Sequence, residues 1–102
     1  MPNGQPQQAA LRLHPSDSVA VTRRTVKAGE TILGDGWQVT TTAIIPAGHK
    51  IALAPIPDGA AVRRYGQIIG FSQGGIAPGE HVHTHNLVCK DFSRDYTAGT
   101  NV

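Results

Sequence analysis

No stretch of this sequence approaches the roughly 18 consecutive apolar residues that a membrane-spanning helix requires, so no membrane partner is expected. The single cysteine, Cys89, cannot close an internal disulfide, and nothing calls for an oxidising compartment. With no cationic neighbour beyond Lys90 to activate it, that thiol reads as structural or as plain surface. The opening M-P-N-G-Q-P-Q-Q-A-A has neither the basic nor the apolar region of a secretion signal. The expectation is a soluble, cytoplasmic protein. Aromatic residues are scarce, 5% of the sequence, and do not alternate with basic ones, as a single-strand or RNA platform would need. A net charge of +2 without any Lys/Arg run gives no footprint for nucleic acid. The carboxylates Asp17, Glu30, Asp35, Asp58 and Glu80 are scattered, and no nucleophile elbow, phosphate loop or dinucleotide fingerprint is present. Nothing repeats at i, i+3, i+4, i+7 over a useful length, so no amphipathic helix is expected.

What is present is β-forming. The 102 residues suffice for one domain with a modest core. A small unit, aliphatic-x-x-Gly-x-x-aliphatic, occurs at Val26–Ile32, Ile45–Ile51, Ile56–Val62 and Ile76–Val82. Each unit reads as strand, tight turn, strand. In Ile-Pro-Ala-Gly and Ile-Pro-Asp-Gly the proline suits position i+1 and the glycine position i+3 of a type I turn. The irregular spacing of the units excludes a solenoid. Further strands are expected at Leu11–Leu13, Ser18–Thr22, Trp37–Ile44 and Gln67–Phe71, where alternation or β-branched residues concentrate. The expected fold is a compact all-β domain over residues 11–90. Residues 1–10 form a disordered lead-in, and residues 91–102 a polar tail in which Phe92 and Tyr96 could make one helical turn.

Three of the five histidines stand at every second position in G-E-H-V-H-T-H-N-L. In an extended strand His81, His83 and His85 would point one way, neighbours roughly 6.6 Å apart, with Val82, Thr84 and Asn86 facing the other side. Neutral imidazoles suit zinc, copper, iron and nickel. His49 follows a turn of the same pattern, and His14 lies in the turn-rich H-P-S-D. Strand histidines joined by one loop histidine would leave coordination positions open, as catalytic metals need. Lys50 could hold a substrate carboxylate or serve as a charge on a strand edge. Tyr65 reads as a packing residue.

The segments L-R-L-H-P-S-D-S-V-A-V (11–21), I-P-A-G-H-K-I-A-L (45–53), R-Y-G-Q-I-I-G (64–70) and G-E-H-V-H-T-H-N-L (79–87) resemble, in order and spacing, the N-terminal SAF domain of altronate dehydratase. That family also takes in galactarate dehydratase and the small subunit of sulfolactate sulfo-lyase. The resemblance implies a β-clip fold and a hydro-lyase that removes water from a sugar acid to leave a 2-keto-3-deoxy acid. It further implies a divalent metal such as Fe(II) or Mn(II), and a separate large catalytic subunit as partner, this subunit being inactive in isolation. Carried over position by position, it implies His49, Lys50 and His85 as catalytic groups and Lys50 and Asn86 as substrate-binding. It assigns His14, His83 and His85 to the metal. A stand-alone SAF module binding a sugar acid, a metal or a protein, or a sulfolactate sulfo-lyase subunit, remain the alternatives, and self-association stays open.

Overall fold

The computed structural model describes residues 8–88. Residues 1–7 and the tail from Cys89 on, with Phe92 and Tyr96, lie outside the described residues; Ala9 and Ala10, expected in the disordered lead-in, are instead buried in the core, and Ala10 opens the first strand. Nine short strands run in order: β1 (Ala10–Leu11), β2 (Val19–Thr22), β3 (Thr31–Gly34), β4 (Trp37–Thr40), β5 (Lys50–Ala52), β6 (Ala61–Arg64), β7 (Gln67–Ser72), β8 (His81–Val82) and β9 (Leu87–Val88). All pairings are antiparallel, in sheets ordered β1-β2-β5-β8, β3-β4 and β6-β7-β9. No helix occurs among the described residues, and the all-β expectation holds.

The four-stranded sheet divides the core. Successive side chains of a strand point to opposite faces, so β2 sends Ala20 to one cluster and Val19 to another, and β5 does the same with Ile51 and Ala52. The first cluster joins Ala20 and Ile51 to Val26, Ile32, Val39 and Ile45 under the β3-β4 hairpin. The second joins Val19 and Ala52 to Ile56, Val62, Ile76 and Val82 under β6 and β7. Every aliphatic residue that brackets one of the four repeated units is buried, each stabilising the fold by about 1.5–3 kcal/mol. The bracketing residues also pair the units, Val26 with Ile45 and Ile56 with Ile76, through isolated bridges.

The turns of the four units differ by one residue from the expected placement. The closing bonds run from Glu30 N–H to Lys27 C=O, His49 to Pro46, Ala60 to Pro57 and Glu80 to Ala77. Glycine is therefore the third residue of each turn, with φ of +79°, +82°, +79° and +88° at Gly29, Gly48, Gly59 and Gly79, as a type II turn demands. Proline sits first, not second, in the turns that begin at Pro46 and Pro57, whereas Pro78 is second in the turn that begins at Ala77. Three of the turns are fastened by a buried hydroxyl in or just past a neighbouring strand. Thr41, Thr22 and Ser72 donate to Lys27, Pro46 and Pro57 C=O and accept the N–H of Glu30, His49 and Ala60. This also ends β4 at Thr40 instead of Ile44: Thr41 turns to the first unit, and Thr42 N–H reaches Gly79 C=O. Ile44 is left exposed.

A different device holds the β6-β7 hairpin. Its two-residue loop, Tyr65-Gly66, has both φ values positive, +58° and +73°, which is the type I′ geometry of tight hairpins. Asp17, buried in the loop before β2, accepts the N–H of Tyr65 at 3.0 Å and of Gly66 at 2.8 Å. Tyr65 itself is 62% exposed, so the packing role expected for it is not what the structure shows.

Candidate metal centre

The histidines do not form one strand. β8 ends at Val82, because Asn86 folds the backbone back on itself: its amide oxygen accepts His83 N–H at 3.0 Å and its NH2 donates to His81 C=O at 2.9 Å. A backbone bond from Asn86 N–H to His83 C=O, 3.1 Å, closes the turn. His83 and His85 therefore stand in a turn. The expected strand row is corrected by one residue type: an asparagine that bonds to its own local backbone prefers a turn to a ladder.

The rings gather all the same. β5 and β8 pair Lys50 with Val82 and Ile51 with His81, and the same register carried one residue further sets His49 opposite His83. Residues directly opposite share a face, so His49, His81 and His83 leave the sheet on the side of Ile51. His49 stacks on His83 with ring centroids 4.3 Å apart, and His81 lies 5.0 Å from His49 and 5.4 Å from His83. His85 joins at the rim, its ring 5.4 Å from that of His81. His49 Nδ1 and His81 Nε2 are 2.8 Å apart in a hydrogen bond, which needs one donor and one acceptor and so at least one neutral ring. Thr22 and Asn86, both buried, fix the backbone beneath these rings.

Ring nitrogens of His49, His81 and His83 lie within 4.8 Å of one another. Two imidazole nitrogens bonded to one ion at about 2.1 Å are about 3.0–3.4 Å apart at octahedral to tetrahedral angles. Small ring rotations bring these donors to that spacing, and three half-buried neutral-donor side chains with an open outer side fit a divalent ion of the imidazole-binding kind. Burial first, then the charges of His49, His85, His83 and Lys50, holds the His81 pKa below the ordinary histidine value. His83 is lowered by loss of water around the ring and then by His49, Lys50 and His85. Both shifts keep the rings unprotonated, which is the form that binds a metal.

The shifts carry a sign for stability. In the unfolded state these histidines take up protons near pH 6.5, and in the folded state only at lower pH. Below about 6.5 the unfolded state therefore binds more protons, and stability falls as the pH drops. The Tm should decline from pH 7.5 to 5 by more in the wild type than in the variant carrying His81→Asn and His83→Asn; equal slopes in thermal scans would contradict the shifts. Glu30 titrates below this window, its pKa lowered to about 2 by the hydrogen bond from Arg24 and then that from Lys27 N–H.

The other expected site residues are placed as follows. Lys50 lies in β5, interior to its sheet and not on an edge, half-buried and near enough to depress His81 and His83. Asn86 has its amide bonded to the backbone of His81 and His83. His14 stands apart. Its Nδ1 bonds to Ser16, and its ring packs against Gly66. It precedes Ser18 while His49 pairs beside Thr22, a separation of about 13 Å along the strand direction for four residues. His81, absent from the expected ligands, is in ring contact with His49, His83 and His85 alike. Its signal was the period-two spacing itself, which included it.

The two turns that meet here come from segments 45–53 and 79–87, and the domain matches a known family over residues 8–90, the altronate/galactarate dehydratase SAF domain. The chain is 40% identical over 76 residues to the altronate dehydratase of Escherichia coli (strain K12) and 34% identical over 76 residues to that of Bacillus subtilis (strain 168). In both cases the match covers 74% of this chain and 15% of the relative, so the chain spans only a small part of those proteins. It is also 44% identical over 54 residues to the (2R)-sulfolactate sulfo-lyase subunit alpha of Paracoccus pantotrophus, covering 53% of this chain and 81% of that subunit. No helix among the described residues is long and apolar enough to cross a membrane. By its sequence match and its all-β architecture, the chain belongs to the SAF domain family of altronate and galactarate dehydratases.

Proposed function

We propose that this chain is the small subunit of an altronate-dehydratase-type lyase that acts on a sugar acid together with a separate large catalytic subunit. The observation that carries the reading is the meeting of His49, His81 and His83 within 4.8 Å on two of the segments that resemble the family. The match over 81% of a relative that is itself a separate subunit supports the divided architecture. A divalent ion held by those three residues, Fe(II) or Mn(II), would supply Lewis acidity toward the carboxylate and 2-hydroxyl of the substrate.

The protein's own groups have definable parts. His49 and His81 are oriented by their mutual hydrogen bond and by Thr22 and Asn86 beneath them. Lys50 adds positive charge beside the rings, which favours an anionic substrate. His85, exposed at the rim, is placed to exchange a proton with a bound hydroxyl. Asn86 acts by shaping the turn, and contact with substrate would be through the histidines it positions. What this surface lacks is enclosure, since dehydration needs a closed site around the reacting atoms, and that falls to the large subunit. A second reading, desulfonation of sulfolactate, is favoured by the same separate-subunit match.

The test is reconstitution. The purified protein alone should release no 2-keto-3-deoxy acid from altronate; with the large subunit and Fe(II) or Mn(II) it should. Sulfite release from sulfolactate by the same complex would select the second reading. Turnover by the isolated protein would contradict the subunit assignment, and no turnover of either substrate by the complex would leave a binding module as the better account.

A further inference from the structure

The segment that carries His14 helps to form a cleft in which the histidine cluster has no part. The cleft is open, has a volume of about 250 Å3, and is lined by Gln8, Arg12, Leu13 and His14 together with Asp35 and Trp37 of the β3-β4 hairpin. None of His49, His81, His83 or His85 lines it.

Its fixed wall is the indole. Gly34 and Trp37 are cross-strand partners, and a Cβ on Gly34 would come within 2.5 Å of Cε2, Cζ2 and Nε1 of the ring. The bare glycine is what lets the indole lie across the hairpin, where it also packs against the first core cluster. Trp37 is half-buried, so the part that lines the cleft is an apolar surface set in place by the fold.

Polar groups of both kinds stand around it. Arg12 donates from Nε to His14 C=O at 3.3 Å and from Nη2 to Pro15 C=O, which leaves Nη1 to donate elsewhere. His14 Nδ1 accepts Ser16 N–H at 3.1 Å, so the ring proton is on Nε2, a second donor. Asp35 is exposed, and its carboxylate makes no hydrogen bond or ion pair among the described residues. One cation and one anion balance, and net charge selects neither an anion nor a cation. Donors and an acceptor beside an aromatic surface suit a ligand with several hydroxyls, each of which donates and accepts. The negative face of an indole also attracts the weakly positive C–H groups of such a ligand. The volume falls below the range of about 300–1,000 Å3 for drug-sized ligands, which gives room for one sugar unit.

We propose that this cleft is a second small-molecule site, distinct from the histidine centre, which binds a single polyhydroxylated sugar unit through Arg12, His14, Asp35 and Trp37. The inference stands independently of the subunit reading above. Trp37 is the only tryptophan of the sequence, so the full-length isotope-labelled protein gives one indole N–H resonance, and that resonance is the probe. Titration with D-glucose and with D-gluconate should shift it saturably for at least one of them, with a Kd in the millimolar range. L-lysine and L-glutamate should not shift it. Asp35→Ala should raise that Kd at least 10-fold, as loss of a hydrogen bond to a charged group does, without lowering the Tm. Asp35→Asn, which keeps a turn-forming residue, should raise it too and carries the test if the alanine variant unfolds. His49→Ala should leave it unchanged. A resonance that neither sugar shifts, or that the amino acids shift as strongly, would overturn the inference. So would a Kd that ignores Asp35 or that rises on loss of His49.

Discussion

Replacing His49 with alanine should lower the affinity of the proposed centre for a divalent ion by more than about 100-fold, since loss of a direct ligand exceeds the 10–100-fold typical of a supporting residue. Turnover of the reconstituted complex should fall in parallel. The substitution takes away one of three donors and also the hydrogen bond that orients His81. It should do little to the fold, because the side chain is half-buried at the sheet end and belongs to neither core cluster. Calorimetry with Mn(II) beside a thermal scan separates the two effects. An unchanged Tm with unchanged affinity would exclude His49 from the centre. His83→Ala should behave alike.

The largest effect on the fold is expected at Gly79. A Cβ placed there would lie 1.9 Å from the Thr40 carbonyl oxygen, and the residue has φ of +88°. That carbonyl is backbone and cannot swing away. Gly79→Ala should therefore combine the left-handed penalty with displacement of the β4 end, together about 3 kcal/mol or more. For a domain of ordinary stability this is a large share of the total. Gly29, with φ of +79° and nothing within 4 Å of where an added methyl would sit, supplies the control, for which alanine should cost only about 1 kcal/mol. Urea unfolding that gave both variants the same midpoint would show that the close approach carries no cost.

The repeated unit was legible because its outer aliphatic residues are core residues, and core periodicity is written in side-chain type. The turn type inside it was displaced by one residue, because proline is acceptable at either of two positions and only the closing hydrogen bond discriminates them. The hydroxyl clasps of Thr22, Thr41 and Ser72 could not be read at all. They join residues 11–27 positions apart, and a threonine in a strand is first of all a β-former.

The histidines show the same division. That His49 and His83 would meet depended on the pairing of β5 with β8, a tertiary fact. That His14 would be drawn to the hairpin tip depended on Asp17 capping Tyr65 and Gly66. The likeness of segment 79–87 to a family pattern drew attention to His83 and His85 and passed over His81. Alternation alone had included it. Asn86 was the informative residue, since its amide ends β8 and converts an expected row into a cluster.

The central claim is that three imidazoles from two chain segments share one ion, and X-ray absorption at the metal edge tests it most directly. The full-length protein loaded with one equivalent of Mn(II) or Fe(II) should show three imidazole nitrogens at about 2.1 Å, the range for such bonds, and His49→Ala should reduce the number. A shell of oxygen alone, or one indifferent to the loss of His49, would contradict the account.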